Sequence, residues 1–347
     1  MCRSLDYKLS QRGERALIIG ATSGDTGSAA IHACKSVKAV DLFMLHPKGR
    51  VSDVQRRQMT TVSAPNLHNF AVDGTFDDCQ TAVKALLNDP DLNRVQHVTA
   101  VNSVNWTRVA AQVVYYFYAG LALGAPDRKI DFVVPTGNFG NICVGHVARK
   151  MGLSVGNLTI ASNRNDILTR FFENSSMKTQ LVQPSLTPSM DIQNSSNFER
   201  LLFELLDGNG ANVAQLMQTF KETGEFSVSA EVMSKARDLF SAVRVSDDET
   251  KAEMARILSE TSEIVDPHTA VGLAAARQSL SSADNAMVVL GTAHPAKFPD
   301  AVMAATGRVP DVPESLHILQ GREEFESDIA NDIDVLKGKI LSTLQNS

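Results

Sequence analysis

The chain has 347 residues, of which 43% are hydrophobic and 21% charged, and a formal net charge of −6. It is long enough for two domains, since one core rarely extends beyond about 250–300 residues. The acidic balance argues against a nucleic-acid partner, which would need a basic patch. The four cysteines lack Cys-x-x-Cys spacing and a nearby histidine at ligand spacing, so neither a metal site nor a disulfide framework is expected.

Apolar runs that read as strands alternate with helical segments along most of the chain. The runs are residues 16–20, 42–46, 67–72, 130–134, 158–161 and 286–290. Because each is followed by a loop and a helical pattern, the alternation predicts an α/β fold with parallel sheets and flanking helices.

The first run leads into a glycine-rich loop, GATSGDTGSAA, at residues 20–30. Its glycines let a ligand approach the backbone N–H groups, and its hydroxyl side chains add further polar groups. The pattern predicts an anion-binding loop. It matches neither the P-loop nor the Gly-x-Gly-x-x-Gly fingerprint. The alternative is an ordinary turn between a strand and a helix.

Residues 109–125 are strongly apolar and contain four consecutive aromatics at 115–118. The segment is shorter than the roughly 20 apolar residues of a membrane span, so a buried helix is expected. The N-terminus has no apolar signal core, and secretion is not indicated.

Two later strands also end in polar loops. Residues 130–134 lead into PTGNFGN at 135–141, and residues 286–290 lead into GTAHPAKF at 291–298. Open α/β sheets bind ligands at the carboxyl ends of their strands. The loops at 20–30 and 135–141 both suit an anion, so the chain requires either a ligand with two anionic ends or two ligands.

Residues 197–260 interrupt the alternation and are expected to be mostly helical, with Ser246 and Glu249 forming a capping box. Near the C-terminus, apolar residues recur at a spacing that predicts one helical face. That face comprises Phe325, Ile329, Ile333, Leu336, Ile340 and Leu344. The helix is expected to dock on the core, with a dimer contact as the alternative.

Taken together, these segments resemble threonine synthase, in the fungal and enteric branch of that family. Besides the three loops, QMTTV at 58–62, AVNSVNW at 100–106, NRNDIL at 163–168, SSNFER at 195–200 and DPHTA at 266–270 occur in the family's order. The resemblance implies pyridoxal-phosphate fold type II, similar to the tryptophan synthase β chain. It also implies a cytoplasmic lyase that converts O-phospho-L-homoserine and water to L-threonine and phosphate in threonine biosynthesis.

The resemblance also assigns roles to residues. The pyridoxal 5'-phosphate cofactor would be held at its phosphate by Thr136, Gly137, Asn138, Phe139, Gly140 and Asn141. The hydroxyl of Thr292 would meet its pyridine nitrogen. The substrate carboxylate would be bound by Thr22, Ser23, Gly24, Asp25 and Thr26. Candidate anchors for the substrate phosphate are Lys48, Arg50 and Arg108, with a solvated surface side chain as the alternative for each.

One family feature is missing. The Schiff-base lysine of the family lies in a Phe-Lys-Asp motif shortly before the first loop, and this sequence contains no such motif. Lys8 is not its counterpart, so no catalytic residue is assigned. We expect the N-terminal segment of the family to be absent and these 347 residues to have at most trace activity. The alternatives are a non-catalytic ligand-binding remnant and a phospho-lyase that releases 2-oxobutyrate.

The predicted domains are residues 1–108, a smaller mobile α/β domain with the carboxylate loop, and residues 109–347, a large cofactor-binding domain with a helical insertion at about 197–260. The expected partner is the small-molecule substrate alone, without nucleic acid, membrane or metal. The chain is expected to be a monomer or a homodimer.

Overall fold

The structure is a computed structural model that describes residues 2–22, 24–101, 105–279 and 284–345. The chain forms two compact units. Unit 1 comprises Met1–Asn105 and Val312–Ser347, and unit 2 comprises Trp106–Asp311.

Unit 1 begins as an alternation of helices and strands. Its first elements are α1 (Cys2–Arg12), β1 (Ala16–Ala21), α2 (Asp25–Cys34), β2 (Val40–Pro47), α3 (Asp53–Thr60), β3 (Leu67–Asp73), α4 (Phe76–Leu87), α5 (Pro90–Val95) and β4 (His97–Ala100). Strand β2 is buried over its whole length, as expected for a parallel strand covered on both faces.

Unit 2 contains the middle of the chain. Its elements are α6 (Trp106–Ala111), α7 (Val113–Ala122), β5 (Ile130–Pro135), α8 (Gly140–Lys150), β6 (Val155–Ser162), α9 (Ile167–Asn174), β7 (Ser176–Lys178), α10 (Phe198–Leu205), α11 (Gly210–Thr223), β8 (Glu225–Ser227), α12 (Ala230–Leu239), β9 (Phe240–Arg244), α13 (Asp247–Thr261), α14 (Pro267–Gln278), β10 (Ala286–Val289) and α15 (Pro299–Thr306). Short 3₁₀ turns occur at Pro188–Met190 and Pro295–Lys297.

The chain then returns to unit 1 through α16 (Glu314–His317), β11 (Ser327–Ala330) and α17 (Ile333–Gln345). Strand β11 pairs in parallel with β3, and the sheet order is β11-β3-β2-β1-β4. The sequence interpretation instead assigned residues 312–347 to the second domain. Strand pairing over a long sequence separation accounts for the difference, because no local pattern signals it.

The main sheet of unit 2 has the order β10-β5-β6-β9, with parallel pairing throughout. Alternate residues of β5 point to opposite faces. Phe132 and Val134 join the core that includes α8, whereas Val133 joins the core that includes α14. The predicted α/β class with parallel sheets and flanking helices is confirmed, and each predicted strand is present.

Two sequence expectations need correction, whereas the expectation that residues 197–260 are mostly helical is confirmed. That region also contains the short strand β8 and β9, an edge strand of the main sheet. The apolar spacing from Phe325 onward is helical only from Ile333, because residues 327–330 form β11. The segment 109–125 is helical, yet only one side of α7 is buried. The capping box of Ser246 and Glu249 is confirmed.

Candidate active site

The loop between β5 and α8 lies at the carboxyl end of a buried strand. The backbone N–H of Thr136 donates to the carbonyl of Ala161 at 3.0 Å, which continues the pairing of β5 with β6. Phe139 then takes a left-handed conformation with φ 61° and serves as the N-cap of α8. Phenylalanine has no side-chain oxygen, so the first turn of this helix lacks the usual side-chain cap.

Gly137 allows this loop to lie against the 3₁₀ turn at Pro188–Met190. A Cβ at this position would lie 3.1 Å from both the Cα and the carbonyl oxygen of Met190. Because those atoms belong to the backbone, a side chain here would have to displace the loop itself.

The SSNFER segment holds the same loop from the other side. The side-chain oxygen of Asn138 accepts hydrogen bonds from the N–H and the hydroxyl of Ser196, at 2.9 and 2.7 Å. The Asn138 carbonyl accepts from the N–H and the amide of Asn197, both at 3.2 Å. The ring of Phe139 packs edge-on against Phe198 at 5.2 Å. This segment therefore fixes the loop, a role that sequence reasoning did not assign.

Thr292 follows β10, the strand that pairs in parallel with β5, so the carboxyl ends of the two strands lie side by side. The N–H of Leu290 donates to the carbonyl of Val133 at 3.1 Å, so the two carboxyl ends remain adjacent. Thr292 itself is exposed. The structure thus brings Thr292 and residues 136–141 to the same edge of the unit 2 sheet.

The predicted carboxylate loop follows β1 in unit 1. The hydroxyl of Thr22 accepts hydrogen bonds from the N–H groups of Gly24 and Gly27, both at 2.9 Å. Thr22 is 2% exposed, so its oxygen shapes the loop from within. Thr26 lies in the first turn of α2. Ser23 lies outside the described residues.

Gln55 contacts the predicted carboxylate loop, which the sequence did not reveal. It donates from its amide to Asp25 at 3.2 Å and accepts from the Ser52 hydroxyl at 2.9 Å. Gly24 has φ 137°, and a Cβ there would lie 2.6 Å from Gln55. The close packing of Gln55 thus explains why a glycine occupies this left-handed position. Nothing in the local sequence connects residues 30 positions apart.

The three candidate phosphate anchors differ in their surroundings. Lys48 pairs with Asp328 at 2.6 Å on the surface, and Arg50 is exposed. Arg108 lies in α6 of unit 2, where burial lowers the pKa of its guanidinium. Among the described residues Arg108 has no hydrogen-bond or ion-pair partner. A desolvated cation of this kind favours an anionic ligand.

The DPHTA motif serves helix capping. Asp266 is buried and accepts at the start of α14 from the N–H groups of His268 at 2.8 Å and Thr269 at 3.3 Å. Burial alone would raise the pKa of Asp266, but hydrogen bonds from His268 and Thr269 outweigh it and lower the pKa. The ring of His294 likewise accepts from the N–H of Ala296 at 3.1 Å.

Within the described ranges, no group of three or more His, Cys, Asp or Glu residues could hold a metal ion. A search of the same residues for a helix with the length and hydropathy needed to cross a membrane found none.

Comparison with known proteins gives matches along the whole chain. The family described as pyridoxal-phosphate dependent enzyme matches residues 2–219, and the family described as threonine synthase, C-terminal, matches residues 269–340. The threonine synthase of Pseudomonas aeruginosa is 51% identical over 332 residues, which cover 95% of this chain and 71% of that enzyme.

Solved structures give the same result. The pyridoxal-phosphate-bound threonine synthase from Brucella melitensis has a TM-score of 0.95 and 48% identity, covering 99% of this chain and 74% of that one. The yeast threonine synthase has a TM-score of 0.89 and 37% identity over the same shares. The similarity therefore includes both units and each of the loops described above.

Proposed function

Because the chain belongs to the threonine synthase family of pyridoxal-phosphate-dependent enzymes, we propose that it acts on O-phospho-L-homoserine and water to give L-threonine and phosphate. The family, the fold type and the cofactor expected from the sequence are confirmed by these relatives. The substrate and the roles of individual residues belong to the proposal.

The observation that carries the proposal is the start of α8. Its N-cap, Phe139, offers no side-chain acceptor, and Gly137 lies so close to Met190 that a Cβ there would be 3.1 Å from that residue's backbone atoms. A helix N-terminus of this kind suits an anion, since the N–H groups and the helix dipole both favour negative charge. Residues 136–141 therefore fit the phosphate of pyridoxal phosphate.

Thr292 is suited to the ring of the cofactor. It follows β10 at the edge that also carries residues 136–141, and its hydroxyl is a neutral partner for the pyridine nitrogen. When bound, pyridoxal phosphate supplies an electron sink for an amino-acid substrate. A neutral hydroxyl at the nitrogen weakens that sink relative to a carboxylate, so positioned proton transfers gain importance.

For the substrate carboxylate we propose residues 22–26. The N-cap of α2 is Gly24, which provides no side-chain cap, and Thr22 holds the loop in shape. A carboxylate can accept from the N–H groups of the first turn. Gln55 orients Asp25 at the loop's end.

Arg108 is the anchor we propose for the substrate phosphate. Of the three candidates it alone combines burial with the absence of a partner among the described residues. Guanidinium groups bind phosphate by paired N–H donors, which suits this role. Lys48 is committed to Asp328.

Turnover by these 347 residues needs an amine that bonds to the cofactor. The sequence contains no Phe-Lys-Asp motif. We therefore propose that this polypeptide binds the cofactor and the substrate but has at most trace catalytic activity. We further propose that the protein acts in the cytoplasm as a monomer or a homodimer.

The experiment supplies the amine in solution. The protein is mixed with pyridoxal phosphate, O-phosphohomoserine and increasing amounts of a small primary amine, and threonine, phosphate and 2-oxobutyrate are quantified. We expect threonine and phosphate in equal amounts, at a rate that rises with amine concentration from a trace level without amine. Predominant 2-oxobutyrate would indicate the phospho-lyase, and ligand binding without product would indicate the remnant.

A variant pair tests the phosphate anchor in the same assay. Arg108→Gln should raise the O-phosphohomoserine concentration needed for half-maximal rate by about tenfold or more, because a charge-assisted phosphate contact is lost. Arg256 lies in α13 and its side chain is 50% exposed. Arg256→Gln should leave the O-phosphohomoserine concentration for half-maximal rate unchanged. If both variants need the same O-phosphohomoserine concentration for half-maximal rate, Arg108 does not bind the substrate phosphate.

A further inference from the structure

A polar network in unit 2 centres on Asp191, the residue that follows the 3₁₀ turn at Pro188–Met190. Its Oδ1 accepts hydrogen bonds from the side-chain amides of Asn163 and Asn165, at 2.7 and 2.8 Å. The hydroxyl of Ser185 donates to the same oxygen at 2.6 Å, and the N–H of Ser185 donates to Oδ2 at 3.0 Å. These donors use both oxygens of the carboxylate, and a polar network that is satisfied in this way is rigid.

The network is anchored at the carboxyl end of β6. Asn163 directly follows that strand and is 2% exposed. Its side-chain oxygen accepts from the N–H of Asn165 at 2.8 Å, and its amide also donates to the hydroxyl of Thr187 at 2.9 Å. Both asparagines belong to the NRNDIL motif. Because β6 pairs with β5, the motif connects Asp191 to the strand that leads into residues 136–141.

The residues on either side of Asp191 lie against Gly137. A Cβ at Gly137 would be 3.1 Å from the Cα and the carbonyl oxygen of Met190, and 3.2 Å from Cδ1 of Ile192. The N–H of Asp191 donates to the carbonyl of Pro188 at 3.2 Å. The N–H of Ile192 donates to the carbonyl of Met190 at 2.8 Å. The side chain of Asp191 and these backbone hydrogen bonds therefore fix the surface on which the loop after β5 rests.

We propose that Asp191 is a positioning residue for the cofactor phosphate. By fixing Met190 and Ile192, it holds residues 136–141 in the conformation that suits an anion. A group that binds a ligand needs neighbours whose own hydrogen bonds hold it in place. The inference rests on the proposed function, because it requires that residues 136–141 bind the phosphate.

Asp191→Asn would disturb this network without changing the size of the side chain. The carboxylate accepts from four donors, whereas an asparagine amide offers one oxygen and adds two N–H donors of its own. The buried amides of Asn163 and Asn165 would then compete for one acceptor, and a buried donor without a partner is costly. We therefore expect the turn at Pro188–Met190 to shift and the loop that rests on it to follow.

The test compares the affinities of the full chain for pyridoxal phosphate and for pyridoxal, read by induced circular dichroism, in the wild type, Asp191→Asn and a matched control, Asp131→Asn. Asp131 is 2% exposed and accepts from the N–H of Asn157 at 2.6 Å and from the amide of Asn285 at 3.0 Å. It is the second residue of β5 and thus lies at the opposite end of the strand from residues 136–141.

We expect Asp191→Asn to reduce the preference for pyridoxal phosphate over pyridoxal by about fivefold or more, since displaced N–H groups lose charge-assisted hydrogen bonds to the phosphate. Asp131→Asn should lower the temperature of unfolding but leave the preference unchanged. Ser185→Ala removes one donor to Asp191 and is a milder variant in case Asp191→Asn does not fold. It should shift the preference in the same direction by about twofold. Thermal unfolding of each variant checks that it is folded.

Two results would overturn the positioning role. The first is the wild-type preference in folded Asp191→Asn or, if that variant does not fold, in Ser185→Ala. The second is an equal loss of preference in Asp131→Asn, which would reflect general destabilisation. Equal affinity of the wild type for the two compounds would instead contradict the phosphate site itself, so failure of the proposed function is distinguishable from failure of this inference.

Discussion

Phe139 determines how the proposed cofactor loop ends. A left-handed conformation at a residue other than glycine costs about 1–3 kcal/mol, while full burial of an aromatic ring contributes about 1.5–3 kcal/mol. The ring is fully buried against Phe198 and Phe240, so the two effects are of similar size. The result is a helix start that carries no oxygen cap and is suited to an anion.

The Thr22 hydroxyl holds the loop after β1 in shape, and replacing it should weaken substrate binding. Thr22→Val keeps the shape of the side chain but removes the acceptor of the Gly24 and Gly27 N–H groups. Leaving buried donors without a partner costs about 1–3 kcal/mol. We expect the variant to lose about tenfold or more in affinity for O-phosphohomoserine, measured calorimetrically with pyridoxal phosphate present.

Thr22→Ser is the matched control, because it retains the hydroxyl and should restore most of the affinity. If Thr22→Val binds substrate as well as the wild type, the hydroxyl does not shape a binding loop.

Asp266 caps the N-terminus of α14, and replacing it should destabilise that helix. Asp266→Asn should destabilise unit 2 by about 1–2 kcal/mol at pH 7, since a neutral amide replaces the ionised carboxylate and the charge-assisted hydrogen bonds from His268 and Thr269 are weakened or lost. The pKa of Asp266 is lowered in the folded state, as hydrogen bonds outweigh burial. Its contribution is therefore present above the unfolded pKa of about 3.9 and is lost as pH falls through the lower folded value. Denaturant unfolding followed by Trp106 fluorescence measures both effects.

The matched control is Asp300→Asn, at an exposed aspartate in the first turn of α15. It should change stability little at pH 7. If wild type and Asp266→Asn lose stability in parallel below pH 4, Asp266 is not the titrating cap.

The elements that the sequence predicted are those with continuous buried runs. Strand β5 is buried at each of its residues, and its sequence shows this directly. Strand β4 has no fully buried residue, and β11 is largely exposed, so neither gives a hydrophobic signal. The apolar spacing of Phe325 and Ile329 happens to continue the period of α17, which explains why this stretch was interpreted as helix.

The site was predictable in part for a similar reason. The loops after β1, β5 and β10 have unusual compositions and follow recognisable strands, so their positions could be read from the chain. Gln55 could not, because its contact with Gly24 and Asp25 exists only once α2 and α3 pack together. The ion pair of Lys48 with Asp328 could not be predicted either, because the two residues are 280 positions apart in the sequence.

At the scale of the whole molecule, unit 1 depends on the last part of the chain. Leu336 and Ile340 of α17 are fully buried in the core that includes Phe43, Phe70 and Leu86. Leu336→Ala should destabilise unit 1 by about 2–5 kcal/mol, because it removes buried methyl groups and leaves a cavity. Hydrogen exchange read by mass spectrometry should then show faster exchange in β3 and α4 than in the wild type.

Val335→Ala, at a neighbouring residue that is 49% exposed, is the matched control and should change stability by less than about 0.5 kcal/mol. Equal effects of the two substitutions would mean that α17 is not part of the unit 1 core.

We propose that residues 136–141 hold the phosphate of the cofactor, and comparing the binding of two forms of the cofactor tests this. Pyridoxal phosphate and pyridoxal, which lacks the phosphate, are titrated into the wild type, Gly137→Ala and Gly210→Ala, with induced circular dichroism as the readout. Gly210 is the control because a Cβ there meets only Phe203 at 3.8 Å, an ordinary contact.

We expect the wild type and Gly210→Ala to bind pyridoxal phosphate at least about tenfold more tightly than pyridoxal, as charge-assisted hydrogen bonds to the phosphate require. Gly137→Ala should lose several-fold of this preference, since its Cβ displaces the loop. Equal affinity of the wild type for the two compounds, or an unchanged preference in Gly137→Ala, would contradict this proposal.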